Sequence, residues 1–400
     1  MNVLFLTLGR ITEISSRGIY NDLMRKFRDE GHEVYIVTPY ERQFKMSTSL
    51  KDADGVKILG VKTLNIQKTN VVEKGIGTIL LETQYKNAIK KYLKGIKFDL
   101  ILYSTPPITF TKIISFLKKN NPKAITYLLL KDIFPQNAVD LGMFSKKSIF
   151  YKFFRKKEKL LYRLSDYIGC MSEANVRFVL NHNNFIDPSK VEVAPNSIEL
   201  PLQQQIVDKN SIRAKYNLPK DKLIFIYGGN LGKPQGIDFL IKCLEANKNR
   251  EDCCFVVIGN GTEFGKLKNW IDNSASNNIF VYERLPKKDY DLFVQSCDVG
   301  LIFLDNRFTI PNYPSRLLSY LEYKMPIIAA TDKNTDIGTI AEENNYGYWC
   351  ESINPDDFTN CVNKFTNNVK SISLMGDNGY KFLKNNYLVD NTYNKIISHL

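Results

Sequence analysis

The chain has 400 residues, enough for two domains of ~200 residues that each bury a core. A hydrophobic share of 44% with 24% charged residues excludes disordered and collagen-like chains. Lys and Arg number 55 against 42 Asp and Glu, so the formal charge of +13 calls for an acidic partner: nucleotide phosphates, nucleic acid or an anionic membrane face.

The opening MNVLFLTLGR turns polar after eight residues and runs into folded-looking sequence, which does not read as a secretory signal. No apolar run reaches the ~18 residues of a membrane-spanning helix. From there short apolar runs alternate with longer amphipathic ones. Val3–Leu8 reads as a buried strand, Ile19–Glu30 as a helix, Gly31-His32 as a turn and Val34–Thr38 as the next strand. Strands are expected again at Val56–Leu59, Leu100–Tyr103, Ile125–Leu130, Tyr167–Met171 and Val191–Ala194. These runs are continuous rather than alternating, which predicts a parallel sheet covered on both faces. The stretch Pro195–Gln205 breaks the pattern. A second series follows at Leu223–Tyr227, Cys254–Ile258, Ile279–Tyr282, Val299–Leu304 and Ile327–Ala329. Two Rossmann-like halves joined near residue 200 are expected.

Seven cysteines, an odd set without a CxxC pair, sit mostly in apolar stretches and read as reduced, buried thiols in a cytoplasm. The three histidines lie far from any cysteine pair, so zinc is not expected.

Five segments carry candidate chemistry. In GRITEISSRGIYNDLMRKF (9–27), Ser15, Ser16 and Gly18 precede a helix whose positive end could face an anion; a plain capped turn reads equally well. In YGGNLGKPQGIDFLIKCL (227–244), Gly228 and Gly229 permit close backbone approach, and Lys233 is the loop's one cation. Neither a Walker A loop nor a GxGxxG spacing is present. In RFTIPNYPSRLLSYLEYKMPIIAATD (307–332), Ser315 reads as a helix cap. Arg316 falls in the first turn, where a cation is unfavourable without a bound anion. Ser319 and Glu322 share a face one turn on, where the carboxylate either meets ribose hydroxyls or points to solvent.

In YLLLKDIFPQNAVDLG (127–142), Asp132 follows an apolar strand at its carboxyl end, where open α/β sheets bind ligands. It could orient or deprotonate a hydroxyl with Lys131 balancing its charge; helix capping or a loop salt bridge is the alternative. In FSKKSIFYKFFRKKEKLLYRLSDY (144–167), cations interleave with Phe150, Tyr151, Phe153 and Phe154. That pattern suits an anionic membrane surface, nucleic acid, or a solvated helix with one buried face.

Together and in this order, KDIFPQNAVDLG (131–142), PNSIEL (195–200), YGGNLGKPQGID (227–238), VIGNGTE (257–263) and PNYPSRLLSYLEYKMPIIAATD (311–332) resemble a GT-B glycosyltransferase of the large retaining family 4. The likeness leans to the fucosaminyltransferase-like branch, which transfers N-acetylated amino sugars in bacterial capsule and O-antigen assembly. It implies an α/β fold of two Rossmann-like domains facing across a cleft: residues 1–197 with the C-terminal helix 381–400 returning to them, and residues 198–380 holding the nucleotide sugar. On this resemblance Gly18 approaches the donor phosphates and Lys233 and Arg316 clamp the diphosphate, helped by the helix beginning at Ser315. Arg284-Leu285 meet the nucleobase, and Gly259 and Gly261 keep the adjacent loop close-fitting. Gly229, Asn230, Asn312, Ser319 and Glu322 complete the donor-binding set, and Asp132 with Lys131 is the catalytic pair.

The chain departs from the family pattern at several points. Pro311 and Ser319 stand where Glu-x7-Glu is usual, leaving Glu322 to replace the ribose-binding Glu. Asn230 and Gln235 replace the Arg and Lys of the GxLxxxKG loop, and Lys131 replaces a His.

The expected protein is a cytoplasmic enzyme, peripheral on the inner face of the cell membrane. It would move an N-acetylated hexosamine or deoxyhexosamine from a UDP-sugar to a polyprenyl-diphosphate-linked saccharide, with no cofactor or tightly bound metal. The expected partners are the donor, the lipid-linked acceptor and an anionic membrane surface through 144–163, and not nucleic acid. The alternatives are a UDP-N-acetylglucosamine 2-epimerase-like enzyme and a non-catalytic basic module that binds polyanions.

Overall fold

The computed structural model describes residues 1–66, 71–201 and 207–400, so residues 202–205 of the expected linker lie outside the described set. The chain forms two compact units, 1–199 with 388–400 and 200–387.

Unit 1 is built on eight strands: β1 (Asn2–Leu6), β2 (Glu33–Glu41), β3 (Ser49–Ala53), β4 (Val56–Thr63), β5 (Leu100–Ser104), β6 (Ile125–Leu130), β7 (Tyr167–Cys170) and β8 (Val191–Val193). Their order is β3-β4-β2-β1-β5-β6-β7-β8. All neighbours are parallel except β3, which runs antiparallel to β4. This edge strand departs from the expected all-parallel sheet. Its residues Ser49–Lys51 and Asp52 are exposed, so no apolar run betrays it. The signal was the Asp54-Gly55 turn, where both residues have positive φ and close a tight hairpin. Val3, Phe5, Phe27, Ile36, Leu102 and Leu129 form the core, because β1, β2, β5 and β6 are buried along nearly their whole length.

Unit 2 carries β9 (Leu223–Asn230), β10 (Cys253–Asn260), β11 (Ile279–Tyr282), β12 (Val299–Phe303), β13 (Ile327–Thr331) and β14 (Gly347–Glu351). The order is β11-β10-β9-β12-β13-β14, all parallel. The strand β14 was not expected; it is a half-buried edge strand without an apolar run. Strand order reverses between β9 and β12, the position beside which doubly wound sheets bind ligands at their carboxyl ends.

The helix expected to return to the first unit from residue 381 does so only from Leu388. Residues Ser371–Asn386 form one helix that stays in unit 2, where Leu383 is buried and the Phe382 ring lies 5.2 Å from that of Tyr346. The last helix, Val389–Ile397, docks on unit 1 at several points. Val389 N–H donates to the Ile198 carbonyl, Lys26 pairs with Asp390 at 2.7 Å, and Thr392 Oγ1 donates to the Pro195 carbonyl. His32, expected as a plain turn residue, hydrogen-bonds Tyr393 at 2.9 Å, and His399 pairs with Glu192. All seven cysteines are buried free thiols. Among the described residues no helix is long and apolar enough to cross a membrane.

Candidate functional site

In unit 2 the carboxyl ends of β9 and β10 run as a pair, Gly229 opposite Gly259 and Asn230 opposite Asn260. The backbones approach so closely that a methyl group on Gly259 would lie 1.8 Å from the Gly229 carbonyl oxygen. Beyond them Leu231 N–H donates to the Asn260 carbonyl and Glu263 N–H to the Leu231 carbonyl, lacing the two loops together. Asn230 and Gln235 bond each other: Asn230 Nδ2 and Gly232 N–H both donate to Gln235 Oε1. Neutral amides therefore stitch the loop at the two positions where the resembled family carries cations. Gly236 closes the turn at φ 58°, a conformation that favours glycine. Lys233 stands exposed at the start of this turn.

Arg316 opens the short helix Arg316–Glu322, and its guanidinium is placed against this glycine backbone. The guanidinium carbon lies 4.2 Å from the centre of the Tyr227 ring and 3.4 Å from where a methyl on Gly229 would sit. Tyr320, four residues on, donates its hydroxyl to the Ile226 carbonyl and accepts from Gly228 N–H, both at 3.1 Å. Tyr290 covers Gly228, since a methyl there would fall 1.9 Å from its hydroxyl; burial pushes the Tyr290 phenol up to about 12. Arg316 thus sits among tyrosines, and its Nη1 is shut from solvent without a hydrogen-bond partner. A buried donor left unpaired costs ~1–3 kcal/mol, and a phosphate oxygen is the ligand that would satisfy it. Of the three tyrosines the motif reading missed, Tyr320 was legible as the i+4 neighbour of Arg316, whereas Tyr290 comes from a distant segment.

Within the rest of the predicted donor set, Ser315 departs from expectation. Ser315 does not cap its helix: it is exposed, has helical torsions and makes no side-chain cap bond. Leu317 N–H and Leu318 N–H turn instead to the Pro314 and Ser315 carbonyls, so neither is left for an anion. Glu322 is only 4% exposed, which removes the solvent-facing alternative. Ser319 is half-buried one turn after Arg316. Asn312 is held in its loop, its backbone N–H on Thr335 Oγ1 at 3.0 Å. Arg284 is exposed and Leu285 half-buried just beyond β11, at the same sheet end as Gly229 and Gly259.

In unit 1 Lys131 and Asp132 follow β6 directly. Thr105 Oγ1 accepts from Lys131 N–H at 3.0 Å, and Asn137 Nδ2 donates to Asp132 Oδ1 at 2.8 Å. Burial raises the Asp132 carboxyl to about 6, opposed by the bonds from Asn137 and Ile133 N–H. The expected charge balance by Lys131 is absent. Its Nζ turns to the Ala194 carbonyl at 2.9 Å, and burial lowers the amine to about 7. Gly18 is also placed otherwise than expected: its N–H donates to Asp22 Oδ1 at 2.8 Å, so a buried carboxylate already occupies the position foreseen for an anion. Among the described residues no group of three His, Cys, Asp or Glu is placed to hold a metal.

Residues 208–382 match the family model described as glycosyl transferases group 1. A probable glycosyltransferase WbjE of Pseudomonas aeruginosa is 25% identical over 297 residues, 72% of this chain and 70% of that protein. The putative colanic acid biosynthesis glycosyl transferase WcaI of Escherichia coli K12 is 23% identical over 153 residues, 37% of each chain. The crystal structure of Anabaena HepE in complex with UDP-glucose superposes with a TM-score of 0.71 at 14% identity, covering 100% of this chain and 99% of that one. The fold of the two units is that of GT-B glycosyltransferases.

Proposed function

We propose that this chain, whose residues 208–382 match the family model of group 1 glycosyl transferases, is a glycosyltransferase that takes its sugar from a UDP-linked donor. The sugar is an N-acetylated hexosamine or deoxyhexosamine, the acceptor a saccharide on polyprenyl diphosphate, and the product part of a bacterial surface polysaccharide. The colanic acid role in the name of WcaI and the UDP-glucose bound to HepE support this reading. The observation that carries it is the Arg316 guanidinium, buried beside the Gly228-Gly229 backbone with Nη1 unpartnered.

In the reaction the bond from the anomeric carbon to the diphosphate breaks, and its electron pair leaves on a phosphate oxygen. A fixed guanidinium in a site poor in water offsets that charge far better than solvent does. Lys233, exposed on the neighbouring loop, adds a second cation for the same diphosphate. The acceptor hydroxyl bonds to the anomeric carbon and gives up its proton. In unit 1 Asp132 is assigned to that hydroxyl: a carboxyl raised to about 6 ionises below neutral pH yet remains a better base than an ordinary Asp. Retention of configuration is part of the proposal.

A thermal-shift panel with UDP, GDP, inorganic diphosphate and an oligonucleotide tests the donor, followed by transfer from UDP-sugars to a lipid-diphosphate acceptor mimic. UDP should stabilise most and a UDP-N-acetylhexosamine should turn over. Stabilisation by the oligonucleotide alone would end the transferase reading.

A further inference from the structure

The helix Ile149–Leu164 of unit 1 is bound to its domain by one side only. Leu161 and Tyr162 are buried, and Glu158, also buried, pairs with Arg155 and accepts from the Tyr162 hydroxyl at 2.9 Å. Directly opposite, at helical spacing, Ile149, Phe153 and Leu160 form an exposed apolar stripe with Phe150 beside it. Ile149 is 77% exposed, Phe150 64% and Phe153 45%, and Met143 just before the helix is 65% exposed. A solvated helix has no use for apolar residues on the face away from its core.

A second stripe runs alongside. Lys152, Lys156, Lys159 and Arg163 follow at i, i+4, i+7 and i+11, and with Lys146 and Arg155 they line a groove of about 320 Å³. Arg155 is committed to Glu158, the His182 carbonyl and Asn183. The ammonium groups of Lys146, Lys152, Lys156 and Lys159 enter no ion pair among the described residues. Charge repulsion between like stripes disfavours a second copy of the chain here. Nucleic acid would satisfy the cations but leave the apolar stripe in water. A bilayer rich in acidic phospholipid accommodates both.

We propose that unit 1 docks on an acidic phospholipid surface through this helix, with Ile149, Phe150 and Phe153 entering the acyl boundary and headgroup phosphates occupying the cationic groove. The proposal deepens the reading of a lipid-linked acceptor, and its test reads binding without turnover, so the two can fail separately. The full chain is floated with vesicles of phosphatidylcholine containing phosphatidylglycerol and with phosphatidylcholine alone. Binding should require the acidic lipid. It should fall at least tenfold in Lys152→Glu/Lys156→Glu and, separately, in Phe150→Ser/Phe153→Ser, with thermal midpoints unchanged because all four side chains are peripheral to the core. Equal flotation with both vesicle types, full binding by either double variant, or retention by an oligonucleotide without flotation overturns the proposal.

Discussion

Replacing Arg316 by Met separates a ligand-binding arginine from a structural one. In the free protein the buried Nη1 without a partner costs ~1–3 kcal/mol, while stacking on Tyr227 returns ~0.5–2 kcal/mol. These nearly cancel, and methionine fills most of the same space. The unliganded variant should therefore melt within a few degrees of wild type, since 1 kcal/mol is ~2–4 °C for a domain of this size. The ligand-dependent part behaves differently. A hydrogen bond between a guanidinium and a phosphate contributes ~1.5–3 kcal/mol, so its loss weakens UDP binding ~10–150-fold. At a UDP concentration about 100 times the wild-type Kd, wild type gains ~2.7 kcal/mol, or ~5–11 °C. The variant, with Kd raised ~100-fold, gains only ~0.4 kcal/mol. Differential scanning fluorimetry with and without UDP reads both quantities. A variant that keeps the full UDP shift refutes the assignment. So does one that loses more than ~10 °C unliganded while its UDP shift survives, because Arg316 would then be a structural residue.

Asp132→Asn should abolish transfer yet stabilise the fold in a pH-dependent way. The folded pKa of about 6 lies above the ordinary 3.8, so ionised Asp132 opposes folding; the penalty is absent below ~4, grows mainly between ~4 and ~6, and levels off at up to ~3 kcal/mol above that. Melting curves across that range should show the variant's advantage at pH 8 shrinking as pH falls, and a constant difference would contradict the buried-carboxyl account. Glu322→Ala should cost ~0.5–3 kcal/mol by removing a side chain that is only 4% exposed. Its UDP affinity by calorimetry should stay within about twofold, and a tenfold loss at unchanged melting temperature would instead make Glu322 a ribose ligand. Gly259→Ala should force β9 and β10 apart, because its methyl lands on the Gly229 carbonyl. A melting-point loss of at least ~5 °C with weakened UDP binding is expected from such overpacking, and wild-type behaviour would show that the strands have slack.

How far the sequence reached is clearest at particular residues. Ile125–Leu130 has the bounds its apolar run predicts, because a strand buried on both faces must be apolar along its length; Ile279–Tyr282 also has its predicted bounds, as a half-buried edge strand that kept an apolar run. The strands β3 and β14 escaped for the converse reason: an edge strand needs only one covered side, so its composition carries little signal. The order of segments also located Gly229 and Asp132 at the carboxyl ends of strands and Arg316 in the first turn of a helix. It could not show what each one touches. That Gly18 spends its N–H on Asp22, that Lys131 reaches Ala194 rather than Asp132, and that Ser315 leaves its helix uncapped are outcomes of competition among neighbouring donors and acceptors.

Local pattern thus determined the strands that carry apolar runs, the division near residue 200 and the residues standing at the ligand-binding ends of the sheets, since burial and periodicity act within a few turns of chain. Tertiary structure alone decided which polar groups were consumed and which were left wanting. Tyr227, Tyr290 and the pair Arg316 and Tyr320 come from three separate elements. Only their packing leaves a guanidinium nitrogen buried without a partner.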